Sequence, residues 1–127
     1  MGYYTNFTGE IAITPPLTNA EIAQHPEFTS GDTDVRLRIV EDTTETAEGT
    51  LTRRLADAVI PAQEDSYKGY DLIEHLQAVI DAYPGHTFTG RLNCEGEEAG
   101  DLWRAVIRDG RAVRVEPRII WPDDEEG

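Results

Sequence analysis

The chain has 127 residues, 39% of them hydrophobic, with 2 Trp, 5 Tyr and 3 Phe. That is enough for one domain with one modest core, and it excludes disorder of the chain as a whole. The net charge of -14, from 25 acidic against 11 basic residues, disfavours a sequence-independent grip on nucleic acid, which needs Lys and Arg to displace counterions. No apolar run approaches the roughly 18 residues that a membrane-spanning helix needs.

The N-terminus, Met1 to Thr5, has neither a basic region nor an apolar core, so no secretory signal is expected, and Asn6 breaks the myristoylation pattern. Cys94 is the only cysteine, which rules out an intramolecular disulfide and any multi-cysteine metal site. A reducing cytoplasm fits this usage. The basic residues are ten Arg and one Lys (Lys68), a bias that suits a high-GC genome.

Residues 3–14 alternate, with Tyr3, Thr5, Phe7, Gly9, Ile11 and Ile13 on one face, and predict a strand buried on one side. Pro15-Pro16 is expected to stop it. Thr18 and Glu21 have capping-box spacing and predict a short helix at 18–25, ended before Pro26. A loop over 29–34 leads to a second strand on Val35, Leu37 and Ile39. The polar stretch Glu41–Gly49 reads as a turn. A third strand over 50–60 alternates poorly, and a bulge, or a strand partly exposed on both faces, would account for this.

After a loop from Pro61 to Gly69, Leu72, Ile73, Leu76, Val79, Ile80 and Tyr83 form one stripe that predicts a helix at 70–83, stopped by Pro84-Gly85. Phe88, Gly90, Leu92 and Cys94 share a face of a fourth strand, and Trp103, Ala105 and Ile107 a face of a fifth. Asp109-Gly110 then marks a tight hairpin into a strand over 111–121. Residues 1–122 therefore read as a single domain, and 123–127 as a disordered acidic tail.

The order β-α-β-β-α-β plus two strands predicts an α+β fold: an antiparallel sheet covered by one long and one short helix, with a ferredoxin-like, split βαβ core and an added C-terminal β-hairpin. A strongly bent sheet gripping the long helix is the rival. Phe7-Thr8-Gly9-Glu10-Ile11 is echoed by Phe88-Thr89-Gly90-Arg91-Leu92. Paired glycines on adjacent strands would let the helix approach the sheet.

No catalytic motif stands out, and no Gly-rich phosphate loop is present. The turn Glu95-Gly96-Glu97-Glu98-Ala99-Gly100-Asp101 holds four carboxylates in seven residues. It could aim oxygens at a hard cation, though it does not match the calcium-loop spacing. Buried carboxylates in pairs can also do acid–base work. His25, His75 and His86 fall in different elements with no ligand spacing, and a Cys94–His86 pair is conceivable only if both meet. Arg104, Arg108, Arg111 and Arg114 make the last hairpin locally basic, through salt bridges or as an anion patch. Tyr3 and Tyr4 are suited to anchoring a partner, whereas Trp103 and Trp121 are expected in the core.

Met1-Gly2-Tyr3-Tyr4-Thr5, Glu95-Gly96-Glu97-Glu98, Asp101-Leu102-Trp103-Arg104, the Gly-Thr-Leu-Thr-Arg-Arg run at 49–54 and the Pro117–Pro122 segment together resemble a family of small uncharacterised proteins of actinobacteria and their bacteriophages. The resemblance implies such a source and a host-directed accessory role, and transfers no catalytic residue. The expected function is a non-enzymatic binding protein without cofactor or bound metal. Its partner is expected to be a basic protein, engaged through Tyr3, Tyr4, Glu95, Glu97, Glu98 and Asp101. Membrane and nucleic-acid partners are not expected, and self-association stays open. The alternative is a divalent-metal- or small-ligand-binding protein, or an enzyme, using the Glu95–Asp101 turn. DNA mimicry rests on charge alone.

Overall fold

The computed structural model describes residues 4–63, 67–96 and 101–118. Six strands form one antiparallel sheet: β1 (Thr5–Leu17), β2 (Val35–Thr46), β3 (Gly49–Pro61), β4 (Thr87–Gly96), β5 (Leu102–Arg108) and β6 (Arg111–Val115), in the order β2-β3-β1-β4-β5-β6. The helices are α1 (Asn19–Gln24) and α2 (Leu72–Ala82), and a 3-10 turn covers Pro26–Phe28.

The expected helix-covered, ferredoxin-like α+β core is therefore wrong. The eleven residues of α2 reach about 16 Å, and the six of α1 about 9 Å. The thirteen-residue strands β1 and β3 run about 43 Å. More than half of the described residues lie in strands, and the sheet is open, with helix over only part of one face.

Two polar segments read as breaks are strand, and this is why the sequence misled. Glu41–Gly49 contains β-branched Thr43, Thr44 and Thr46, which suit a pleated ribbon. They pair with Thr52, Leu51 and Gly49, so the turn shrinks to Ala47-Glu48. Likewise β1 continues past Pro15-Pro16 to Leu17. The prolines fall where its register against β3 shifts, between Ala12 and Leu17, so the missing N–H breaks no regular ladder. The ragged alternation of β3 has a bulge behind it: Arg38 pairs with Ala58 and Ile39 with Ala56, leaving Asp57 as the extra residue. The last strand ends at Val115 rather than at 121.

α1 starts with the capping box its sequence promised. Glu21 N–H donates to Thr18 Oγ1 at 3.2 Å, and Thr18 N–H donates to Glu21 Oε1 at 3.1 Å. The apolar stripe of α2 buries Leu72, Leu76, Val79 and Ile80 against the inner face of the sheet, where Ile11, Leu37, Val59 and Leu92 are fully enclosed. Phe28 and Tyr67 belong to the same core.

β1 and β4 are neighbours, and their echoed segments pair about the Glu10–Arg91 couple: Gly9 faces Leu92 and Ile11 faces Gly90. Both glycines have positive φ, +98° and +123°. A Cβ on Gly9 would lie 2.6 Å from the Arg91 carbonyl oxygen, and one on Gly90 the same distance from that of Glu10. The glycines thus let strand approach strand, rather than helix approach sheet as expected.

Candidate functional site

The start of β1, the end of β4 and the start of β5 meet at one end of the sheet: Thr5 pairs with Gly96, Asn6 with Glu95, and Glu95 with Leu102. This register gathers three of the expected site residues, Tyr4, Glu95 and Asp101. Tyr4 stands just before β1, half exposed, with Lys68 Nζ 5.5 Å from its ring centroid. Glu95 lies on the helix-free face beside Asn6. Asp101 closes the turn by accepting from Gly96 N–H at 2.7 Å, and its carboxylate packs over Gly96. Tyr3, Glu97 and Glu98 lie outside the described residues, as do Trp121 and the acidic tail.

The structure adds partners that the sequence reading passed over. Tyr70 is 69% exposed and Leu102 47% exposed. With Tyr4 they are three of the four large apolar side chains standing out from the described surface, and all three belong to this end. Tyr70 had been placed inside the helix. Its position outside the 72/73/76/79/80/83 stripe was the signal for exposure. Thr5, Gly69, Tyr70, Leu72, Ile73, Asp101, Trp103 and Arg114 enclose a cleft of about 210 Å³ here. Trp103 is buried, as expected, and the Arg114 guanidinium stacks on its ring at 4.4 Å, a cation–π contact. A larger groove of about 530 Å³ opens on the helix-free face and includes Asn6, Thr8, Asn93, Glu95, Leu102, Arg104 and Arg118 among its lining residues.

The three histidines and Cys94 are tied into the fold. His86, with a side chain only 8% exposed, has Nδ1 2.6 Å from the Pro15 carbonyl and Nε2 2.7 Å from the Glu21 carboxylate. Both partners accept, so only the doubly protonated ring satisfies both. Burial opposes that charge, but the bonds to Glu21 and Pro15 outweigh it and raise the His86 pKa. Glu21 is correspondingly lowered, first by the Thr18 backbone N–H and then by His86.

His75 lies off the apolar stripe of α2, a position that predicts exposure. It is half-buried, and its Nδ1 accepts the Asp34 N–H at 2.9 Å. His25 stacks on Phe28. Cys94 is buried, and desolvation pushes its thiol up to about 12. It stands eight positions along β4 from His86, about 26 Å in an extended chain, so the two do not form a pair. Among the described residues no group of three or more His, Cys, Asp or Glu is assembled to hold a metal ion. No helix there is long and apolar enough to cross a membrane.

Comparison with curated proteins and with solved structures finds no match. A family model described as a family of unknown function, DUF6205, matches residues 1–127. Tyr4, Glu95 and Asp101 thus sit in a segment pairing that belongs to the matched region, and the chain is a member of that family, DUF6205.

Proposed function

We propose that this chain is a non-catalytic binding protein that docks a basic protein partner with the sheet end carrying Tyr4, Tyr70 and Leu102. The observation that supports this is that those three exposed side chains stand at the same end of the sheet, Leu102 beside Glu95 and Tyr70 lining a cleft with Asp101. Tyrosine offers contact area and a polar tip at low entropic cost, and interface hot spots favour it. Carboxylates at the rim of such a patch would speed encounter with a cationic surface, helped by the net charge of -14. The structural duties of His75, His86 and Cys94 favour binding over catalysis. The arginine bias and the family resemblance favour an accessory role in an actinobacterial host or its phage.

The test is site-directed photo-cross-linking with benzoylphenylalanine at position 70, in cells of the source organism. The expected result is one adduct with a protein of basic pI, absent in 0.5 M salt and absent when Tyr4→Ala is added. An adduct with an acidic protein, or one indifferent to salt and to Tyr4→Ala, contradicts the reading.

A further inference from the structure

On the helix-free face the charge is opposite to that of the whole chain. Register puts Arg91 of β4 opposite Val106, Asn93 opposite Arg104, and Arg108 opposite Arg111. Arg91 is thus diagonal to both Arg104 and Arg108, at the roughly 7–8 Å spacing within reach of long side chains. Arg108 and Arg111 face each other directly, an arrangement that destabilises a sheet when both charges are alike. All four arginines are exposed.

A chain with 25 acidic residues has carboxylates to spare, yet none of the described ones forms an ion pair with these four guanidiniums. Glu10 is the direct partner of Arg91 on β1, but its two oxygens are taken by Arg38, at 3.1 and 2.8 Å. Asp57 is likewise bound to Arg38, at 2.9 Å. Glu116 lies 3.4 Å from Arg114, which stacks on Trp103 on the other face. Arg104 is steadied by a neutral group, donating from Nε to Asn93 Oδ1 at 3.0 Å. Among the described residues, Asp109 in the β5–β6 turn and Glu95 at the far end of the groove are the other carboxylates near this face.

The four arginines surround the facing pair Val106 and Val113, and the face runs on into the 530 Å³ groove past Arg104 towards Arg118. We infer that this face binds an acidic, extended peptide segment of another protein. Its carboxylates take paired guanidinium N–H groups, and its intervening apolar side chains lie on Val106, Val113 and Val115. Arginine forks match carboxylate geometry and are weakly hydrated, which suits them to such an interface. A nucleic acid, with a charge about every 1.7 Å along the duplex, would need a longer cationic track and would meet repulsion from the rest of the chain. This site adjoins the proposed docking end, sharing Glu95 and Leu102 at the groove's edge, but it selects the opposite charge and rests on Arg91 and Arg108 rather than on Tyr4 and Tyr70, so the arginine and tyrosine variants distinguish failure of one from failure of the other.

The experiment is fluorescence anisotropy of the full chain with a labelled decapeptide of alternating Glu and Val at low salt, against the same peptide with Gln for Glu. Saturable binding of the Glu peptide alone is expected, weakened at least tenfold by Arg91→Gln/Arg108→Gln and unchanged by Arg53→Gln/Arg54→Gln. The double variant is expected to unfold at the same or a higher denaturant concentration, because like charges have been removed. No saturable binding, equal affinity after Arg91→Gln/Arg108→Gln, equal binding of the Gln peptide, or tighter binding of oligothymidylate would each overturn the inference. So would concentration-dependent self-association abolished by the same double variant, which would assign the face to a second copy.

Discussion

Gly9 and Gly90 show how single residues set the close approach of two strands. Each combines a positive φ with a facing carbonyl oxygen where a side chain would start, so alanine meets both backbone strain and a clash with an immobile atom. Gly9→Ala or Gly90→Ala is expected to lower stability by roughly 2–4 kcal/mol. Gly85→Ala, with ordinary φ and open space around it, should change stability by no more than about 0.5 kcal/mol. Urea unfolding of the three variants checks this.

His86 and Glu21 make a second, pH-dependent contribution. The raised His86 stabilises fully below its ordinary value of 6.5 and loses that stabilisation as pH rises through its higher folded value. The lowered Glu21 stabilises fully above 4.5 and loses that contribution as pH falls through its lower folded value. The melting temperature of the wild type should therefore be highest between these limits and decline on the alkaline side. In His86→Gln the alkaline decline should shrink, so that the two melting curves converge as pH rises. Parallel curves from pH 6 to 9 would show that the ring carries no charge in the fold.

At the level of elements, β2 and β3 outgrow the sheet. β3 contacts β1 only from Ala56 onward, so the ladder from Glu41–Arg54 to Thr46–Gly49 projects as a two-stranded ribbon beyond Leu17. Its pairs are exposed threonines and charges, including Asp42–Arg53 at 2.5 Å. A two-stranded ribbon has little independent stability in water, and exposed ion pairs add little. Its amides should exchange with solvent long before those of Leu92 or Leu76. Replacing residues 43–52 by Asn-Gly, joining Asp42 to Arg53, should leave the melting temperature within a few degrees; a collapse of stability would mean that the ribbon supports the core.

The same ribbon shows where sequence reading stopped. A buried strand announces itself by alternation, as β1 and β4 did, and α2 by its stripe. A ribbon solvated on both faces has no apolar period, so Thr43, Thr44, Thr50 and Thr52 carried a conformational preference without a pattern. Helix cover was overestimated because the stripe from Leu72 to Tyr83 says which face is buried and nothing about how much sheet remains. The end of β6 is closed by a contact no pattern reveals: Gln77 accepts the Ala112 N–H at 2.7 Å and reaches Gly110 O at 3.3 Å. This blunts one donor on an open strand edge.

At the scale of the molecule, the described surface carries an arginine face within an acidic chain and, at one end of the sheet, the exposed Tyr4, Tyr70 and Leu102. Tyr4 and the acidic turn were legible in the sequence as candidates, since tyrosines near a terminus and carboxylates at a glycine turn are exposed by default. Tyr70 and Leu102 were not, because the β1–β4–β5 register sets residues 4 and 102 at one end of the sheet and the Thr5–Tyr67 bridge brings residue 70 there.

The claim that this end docks a partner is tested most directly by titration calorimetry of the protein recovered by cross-linking, against wild type, Tyr4→Ala/Tyr70→Ala and Arg91→Gln/Arg108→Gln. Hot-spot behaviour predicts a loss of about 2 kcal/mol or more, roughly 30-fold in affinity, for the tyrosine pair, and little change for the arginine pair. Equal affinity of the wild type and the tyrosine variant would contradict the account.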